Sequence, residues 1–147
     1  MEYGRIETTD IDLIAHLWEK QRLHHVERAG VFRGVFEKLD WEKRKRELLD
    51  NNKLEIVTAG NGTEINGYCV AAIDGMGMGE IESLYLEPGL RGKGAGAELL
   101  RRGLEWLDKE GVKDIKIIVA AGNEEALAFY EKAGFVPRAY VLKRKPG

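Results

Sequence analysis

Two kinds of chemistry-bearing residue stand side by side in the middle of this chain. Glu80 and Glu82 lie on a strand-like segment, Glu80-Ile-Glu-Ser-Leu-Tyr-Leu86, which ends at Glu87-Pro88. A short, basic, glycine-rich stretch follows, Arg91-Gly-Lys-Gly-Ala-Gly96, and an amphipathic helix is predicted to begin at about Ala97. A glycine-rich turn that opens a helix leaves several backbone N–H groups without intrahelical acceptors. Those donors and the positive helix end form an anion site, above all for phosphate. Glycine suits the turn because a side chain would hold a phosphate away from the backbone. Arg91 and Lys93 add positive charge at the same place, so a phosphate-bearing ligand is expected here.

The spacing narrows the choice of ligand. A Walker A loop needs Gly-Lys followed by Ser or Thr, whereas Gly92-Lys93 is followed by Gly94 and offers no hydroxyl for magnesium. A dinucleotide fingerprint needs G-x-G-x-x-G after the first strand of its unit, whereas here the spacing is G-x-G-x-G and falls late in the chain. The pattern that fits is Arg-x-x-Gly-x-Gly at Arg91, Gly94 and Gly96. It resembles the coenzyme A pyrophosphate loop of the GNAT superfamily of N-acetyltransferases. The flanks match as well: a hydrophobic strand ending in Pro88, and the later Asn123-x-x-Ala126-x-x-Phe129-Tyr130-Glu131-Lys132-x-Gly134-Phe135. The resemblance covers essentially the whole chain. It implies acetyl-CoA as cosubstrate, with contacts from Leu84, Tyr85 and Leu86 on the strand. In the loop it implies contacts from Arg91, Gly92, Lys93, Gly94, Ala95 and Gly96, and later in the chain from Asn123 and Tyr130.

Amide formation from a thioester needs a proton acceptor for the amine, stabilisation of the carbonyl oxygen, and protonation or stabilisation of the leaving thiolate. No covalent nucleophile is needed where amine and thioester are held together. The chain offers no Ser/His/Asp or Cys/His constellation, so direct transfer is the simpler reading. Asn123 and Tyr130 are seven residues apart, on the same side of a helix two turns apart. The resemblance implies that Tyr130 is the acid for the thiolate and that Asn123 bonds the cofactor arm; Tyr130 also suits a core aromatic, and Asn123 a helix cap. Glu82 is the leading candidate base, since many GNAT enzymes place a glutamate on this strand, and Glu80 ranks after it. His24 and His25 fall where the family builds its acceptor wall and are candidate acceptor-site residues that titrate near neutral pH. The oxyanion donor is expected to be a backbone N–H between Glu82 and Leu86.

These residues require a mixed α/β frame. Arg5 to Thr8 reads as a first strand. Thr9 and Asp10 are N-cap candidates for a helix carrying Ile11, Ile14, Leu17 and Trp18 at helical spacing. Asp40 suits the cap of a second helix, whose Lys43-Arg-Lys-Arg46 run reads as a solvated face. From Lys53 the period becomes two: Leu54, Ile56 and Thr58 alternate, Gly60-Asn-Gly62 turns the chain, and Asn66 to Ile73 returns as a hairpin partner. In the strand from Glu80 to Leu86, Ile81 and Leu84 are three apart, where a regular strand would keep them an even number apart. One extra residue near Glu82-Ser83 restores the register, the sequence sign of a β-bulge; a strand buried on both faces with no bulge is the other reading of the same spacing. The helix after the glycine loop shows Ala97, Leu100, Leu104 and Leu107 along one stripe, with Gly111 as its stop. Asp114 to Val119 reads as a strand parallel to the preceding one, Glu124 to Ala133 as a last helix, and Phe135–Pro137 and Tyr140–Lys143 as closing strands. The expected fold is a single GNAT-like domain over 1–147. It has a mostly antiparallel central sheet, a splayed pair of parallel central strands, and helices on both faces.

Composition bounds the rest. The formal net charge of −2 lacks the basic excess of a nucleic-acid binder. No apolar run approaches the roughly 20 residues of a membrane span, and the N-terminus shows no signal-peptide core, so a cytoplasmic location is expected. The single cysteine, Cys69, sits in an apolar run and reads as a small buried hydrophobe. No Cys/His cluster has zinc spacing, and no metal is expected. The expected activity is transfer of acetyl from acetyl-CoA to a primary amine on a small molecule or peptide. The oligomeric state is open, with a homodimer common in that family. Two other readings are a non-catalytic acyl-CoA sensor, which would need neither Tyr130 nor Glu82, and a nucleotide-binding regulatory domain, against which the loop spacing counts.

Overall fold

The computed structural model describes residues 1–147. Five strands are present: β1 (Glu2–Ile6), β2 (Lys53–Asn61), β3 (Glu64–Ile73), β4 (Gly79–Leu86) and β5 (Ile115–Ile117). Five α-helices accompany them: α1 (Ala15–Arg28), α2 (Arg33–Glu37), α3 (Trp41–Leu49), α4 (Ala95–Lys109) and α5 (Glu124–Lys132). The strands form one sheet in the order β1-β2-β3-β4-β5. Every neighbouring pair is antiparallel except β4–β5, which is parallel and joined through α4. This is the mixed, mostly antiparallel sheet that the sequence pattern predicts.

The chain forms two compact units. The first comprises Met1–Lys20 and Asp40–Ile118, and the second Gln21–Leu39 and Val119–Gly147. In the first, β3 is buried on both sides, with Tyr68, Cys69, Val70 and Ala71 all fully enclosed. Alternation along the strand sends Tyr68 and Val70 to one face, where they cluster with Ile11, Ile14, Leu17, Leu48, Ile56 and Tyr85. Cys69 and Ala71 face the other way, towards α4. There a Cβ on Gly103 would lie 3.0 Å from Cys69 Sγ and 3.4 Å from Ile81 Cδ1. The missing side chain lets the helix axis come close to the sheet. The buried stripe of α4 is therefore Ala95, Leu99, Leu100, Gly103 and Leu107. Ala97 is exposed and Leu104 half-buried, so the predicted stripe is rotated towards the glycine side. Each fully buried leucine on that stripe contributes about 1.5–3 kcal/mol.

Several local expectations hold. Asp40 Oδ1 accepts from the Lys43 N–H at 2.9 Å and caps α3, and Asn123 Oδ1 accepts from the Ala126 N–H at 3.3 Å and caps α5. Gly111 adopts φ +81° just past the end of α4. Others are corrected. The first strand is Glu2–Ile6, earlier than Arg5 to Thr8. A 3-10 segment, Thr8–Ile14, precedes α1, and no side chain caps it, so Thr9 and Asp10 do not act as caps. Asp12 turns instead to α3, accepting from Trp41 Nε1 at 2.7 Å and from Lys45 Nζ at 3.1 Å. β5 is shorter than Asp114 to Val119. No strand forms at Phe135–Pro137 or Tyr140–Lys143: Val136, Tyr140, Val141 and Leu142 are all more than four-fifths exposed and join no ladder. No helix is long and apolar enough to cross a membrane.

Candidate active site

The glycine loop emerges from the end of β4 and is tied down at its entry. The Glu87 N–H donates to the Asn66 carbonyl at 3.0 Å, and the Glu87 carboxylate takes an ion pair from Lys20 and a 3.4 Å bond from Asn66 Nδ2. These donors pull the Glu87 carboxyl below the usual range, Lys20 being the main cause. A 3-10 turn, Pro88–Leu90, leads to Arg91, whose Nε donates to the Leu86 carbonyl at 2.8 Å and whose guanidinium carbon lies 5.3 Å over the Tyr85 ring. Arg91 is thus anchored to the strand end it follows. Gly92 and Gly94 hold φ of +81° and +86°, in the left-handed region that favours glycine. A Cβ at either would meet nothing within 4 Å, so it is backbone conformation and not crowding that selects glycine. The space in front of the loop is open, and Lys93 is exposed there.

Gly94 is the N-cap of α4 and supplies no side-chain cap, while its carbonyl receives the Glu98 N–H at 3.0 Å. The N–H groups of Ala95, Gly96 and Ala97 have no carbonyl four residues back within the helix. They point out of a 15-residue helix at its positive end. Glu98, in the same first turn, is engaged from the other direction by Arg101 at 2.8 Å and Arg102 at 2.7 Å, which hold its carboxyl down at about 2. The arrangement can bind a diphosphate through main-chain donors.

The second element of the site is the bulge. In the β3–β4 ladder Val70 pairs with Ser83 and Ala71 with Ile81, so Glu82 is the extra residue, within the Glu82-Ser83 step where the sequence pattern predicts one. Glu80 and Glu82 face each other closely. Burial, then the neighbouring Glu82 charge, and then the hydrogen bond that protonated Glu80 donates to Glu82, push the Glu80 carboxyl up to about 7. Lys116 Nζ, 3.8 Å from Glu80 Oε1, partly opposes this. Beside the pair, Tyr68 Oη and Ser83 Oγ share a 2.7 Å hydrogen bond. A carboxyl poised near neutrality is suited to accept a proton from an amine.

β4 and β5 pair over only three residues, Gly79–Ile81 against Ile115–Ile117, and the parallel ladder stops at the bulge. Tyr85 and Leu86 are buried and Leu84 half-buried on the β4 side, just before the glycine loop.

The remaining predicted residues belong to the second unit and are described within it. Tyr130 is half-buried on α5, packed edge-on between Phe129, with centroids 5.2 Å apart, and Phe135, at 6.3 Å. Asn123 caps the same helix. His25 stacks on Phe36 at 5.3 Å between ring centroids, and its Nδ1 is buried without a hydrogen-bond partner. Burial chiefly, with the nearby His24 and Arg28, lowers its pKa, so His25 favours the neutral ring. His24 lies edge-on to it at 6.0 Å. In this unit the Arg28 carbonyl approaches Gly122 so closely that a Cβ there would lie 2.3 Å away, which joins the end of α1 to the turn before α5.

Sequence reasoning missed Arg44 and Asn51. Arg44 lies in a run that reads as solvated, yet its Nη2 donates to the Glu82 carbonyl at 3.0 Å. Asn51 Nδ2 reaches Glu82 Oε2 at 3.4 Å. A signal was present: Trp41, Arg44 and Leu48 recur at helical spacing, which places Arg44 on the face that buries Leu48.

Residues 13–135 match the model of the GNAT acetyltransferase family. The chain belongs to that family. A mycothiol acetyltransferase of Corynebacterium glutamicum is 31% identical over 110 residues, 74% of this chain and 35% of that relative. The chain spans well under half the length of the curated relatives it matches. Among solved structures, a tetramutant of the BH1408 protein of Bacillus halodurans has a TM-score of 0.77 at 20% identity, covering 98% of this chain and 99% of that one. A predicted acetyltransferase of Clostridium acetobutylicum, solved with acetyl-CoA, has a TM-score of 0.72 at 20% identity, over 97% of this chain and 94% of that one. At these identities the structural likeness is one of fold. GNAT membership supports coenzyme A as a cosubstrate.

Proposed function

We propose that this chain is an N-acetyltransferase that moves the acetyl group of acetyl-CoA to a primary amine by direct attack in a ternary complex. The observation that carries the reading is the continuity of β4. One short strand presents a carboxylate pair at its bulge and ends at Leu86, from which a turn and the glycine loop lead directly into the main-chain donors that open α4. A strand built this way aligns a thioester beside a proton acceptor while the diphosphate is anchored at α4. Main-chain N–H groups of α4, with Arg91 and Lys93 nearby, hold the diphosphate. Glu80, paired with Glu82, takes the proton that the amine nitrogen sheds as its bond to the acetyl carbon forms. A backbone N–H of β4 stabilises the developing oxyanion. Tyr130 gives its phenolic proton to the sulfur as the carbon–sulfur bond breaks; Glu80 then releases the amine proton to solvent and the Tyr130 phenolate takes one back, so that one proton passes from nitrogen to sulfur and both side chains are restored. Acetyl-CoA supplies the activated acyl group, and no metal is needed.

The test is a panel of amines with acetyl-CoA, read by release of free thiol: polyamines, amino acids, aminoglycosides and peptides with free N termini. Turnover of any member supports the reading. Thermal stabilisation by acetyl-CoA without turnover would assign the chain to acyl-CoA sensing. Stabilisation by ATP or NAD but not by acetyl-CoA would overturn the reading.

A further inference from the structure

We propose that Arg44 is a positioning residue of the carboxylate centre: from α3 it clamps the bulged Glu82 and leaves Glu80 as the carboxylate that exchanges the amine proton. This rests on the acetyl-transfer reading for its consequence, though not for its geometry. Glu82 is the residue that the β3–β4 ladder skips. A bulge frees backbone groups that a regular ladder would have used. Here the Glu82 carbonyl is taken by Arg44 Nη2 at 3.0 Å, and Arg44 Nη1 lies 4.0 Å from the same residue's Oε2. The planar guanidinium fork serves both the main chain and the side chain of one residue, which an ammonium point charge does poorly. Asn51 Nδ2 adds a 3.4 Å bond to Glu82 Oε2 and is itself oriented by the Leu48 carbonyl at 3.0 Å. Both Arg44 and Glu82 are largely withdrawn from water, with side chains 24% and 13% exposed.

Glu80 lacks such a clamp. Its surroundings are Glu82 on its own strand, Lys116 on β5 at 3.8 Å, and the Arg44 charge from α3. Its ladder partner on β3 is Ala72, which carries no charge. Glu47, also on α3, is turned to Arg44 at 3.6 Å. The donors thus converge on Glu82 and leave Glu80 without a hydrogen-bond donor of its own from α3. Arg44 also opposes the rise at Glu80 through its charge. Its removal and the removal of Glu82 must therefore act in opposite directions.

The test is a carbon-13 titration of the glutamate carboxyl carbons in the full chain without ligand, with the Glu80 signal assigned by its loss in Glu80→Gln. The expected wild-type result is a Glu80 signal that titrates near neutrality. Arg44→Met moves that titration up by roughly one pH unit, whereas Glu82→Gln moves it down towards the ordinary carboxyl range. Arg44→Lys keeps the charge without the fork and gives a smaller upward move, and it serves in place of Arg44→Met should that variant not fold. With a responsive amine, kcat falls roughly tenfold or more in Arg44→Met while the KM for acetyl-CoA changes little. The acid limb of the pH–rate profile follows the carboxyl titration. A near-neutral titration unmoved in the Arg44 variants overturns the positioning role. Absence of turnover with every amine refutes the transferase reading instead, and leaves the titration result standing by itself.

Discussion

Replacing Gly94 with valine separates what the loop backbone does for folding from what it does for binding. Gly94 holds φ +86° and ψ 0°, and a residue with a Cβ in the left-handed region costs roughly 1–2 kcal/mol, more when β-branched. No clash adds to this, because the new Cβ meets nothing within 4 Å. A loss of about 2 kcal/mol lowers Tm by roughly 4–8 °C in a chain of this size. The domain stays folded. Gly111, at the opposite end of α4, is the matched control: its φ is +81° and its Cβ would also enter open space. Gly111→Val therefore carries the same backbone strain at the end of the helix that has no anion-binding donors. In Gly94→Val the branched side chain stands in front of the N–H groups that a diphosphate would use. Losing one hydrogen bond to a charged oxygen costs about 1.5–3 kcal/mol, which is roughly a 10- to 150-fold rise in Kd. Calorimetric titration of coenzyme A into the wild type and both variants, with thermal unfolding run alongside, reads the two effects separately. Equal Kd in wild type and Gly94→Val would refute the phosphate-loop reasoning. So would an equal weakening by Gly111→Val, since that would trace the loss to strain in α4.

Three further outcomes follow from the geometry. Tyr130→Phe keeps the ring packed against Phe129 and Phe135 while deleting the hydroxyl, so turnover falls by roughly 10² or more with coenzyme A affinity unchanged; full activity would assign Tyr130 to packing. With Glu80 as base, the wild-type rate rises with pH through about 7, as the carboxyl loses its proton. In Glu82→Gln that limb moves to lower pH and acetyl-CoA affinity is retained, and an unshifted profile would clear the pair of the role. Glu80 also couples folding to pH. Its carboxyl binds its proton more tightly folded than unfolded, so the stability it contributes is complete below the ordinary carboxyl range and is lost as pH climbs through about 7. Glu80→Gln abolishes that loss, and urea melts at pH 5 and pH 8 should differ by less in the variant. The difference is on the order of 1 kcal/mol once water screening at this half-buried side chain is allowed for, and identical pH dependence would contradict it.

Local rules were enough for the parts of this protein in which a residue's conformation depends on its neighbours along the chain. The glycine loop was legible because left-handed backbone at Gly92 and Gly94 has a residue-type signature, and a helix start has another. The Asp40 and Asn123 caps were legible for the same reason, and the slip in apolar spacing between Ile81 and Leu84 pointed to the bulge, which the ladder then decided over a strand buried on both faces. The run from β2 to the last helix and the single parallel pair followed from period and connection length. What depends on groups distant along the chain was not legible. Arg44 reads as one more cation in a basic run until α3 packs and brings its guanidinium to the carbonyl that the bulge frees. The ranking of Glu80 and Glu82 by sequence favoured Glu82. The fold surrounds Glu82 with donors from α3 and the turn after it, and puts the near-neutral carboxyl at Glu80. The stripe of α4 rotated because Gly103 permits a closer approach to Cys69 than a leucine would, which is a property of two surfaces together. The apolar residues from Val136 to Leu142 carry strand propensity, but a strand exists only where a ladder partner accepts its backbone, and no count of residues along the chain supplies one. Backbone conformation and capping are local energies that a sequence writes directly, whereas proton affinity, side-chain reach and sheet pairing are set by what tertiary packing places within a few ångströms.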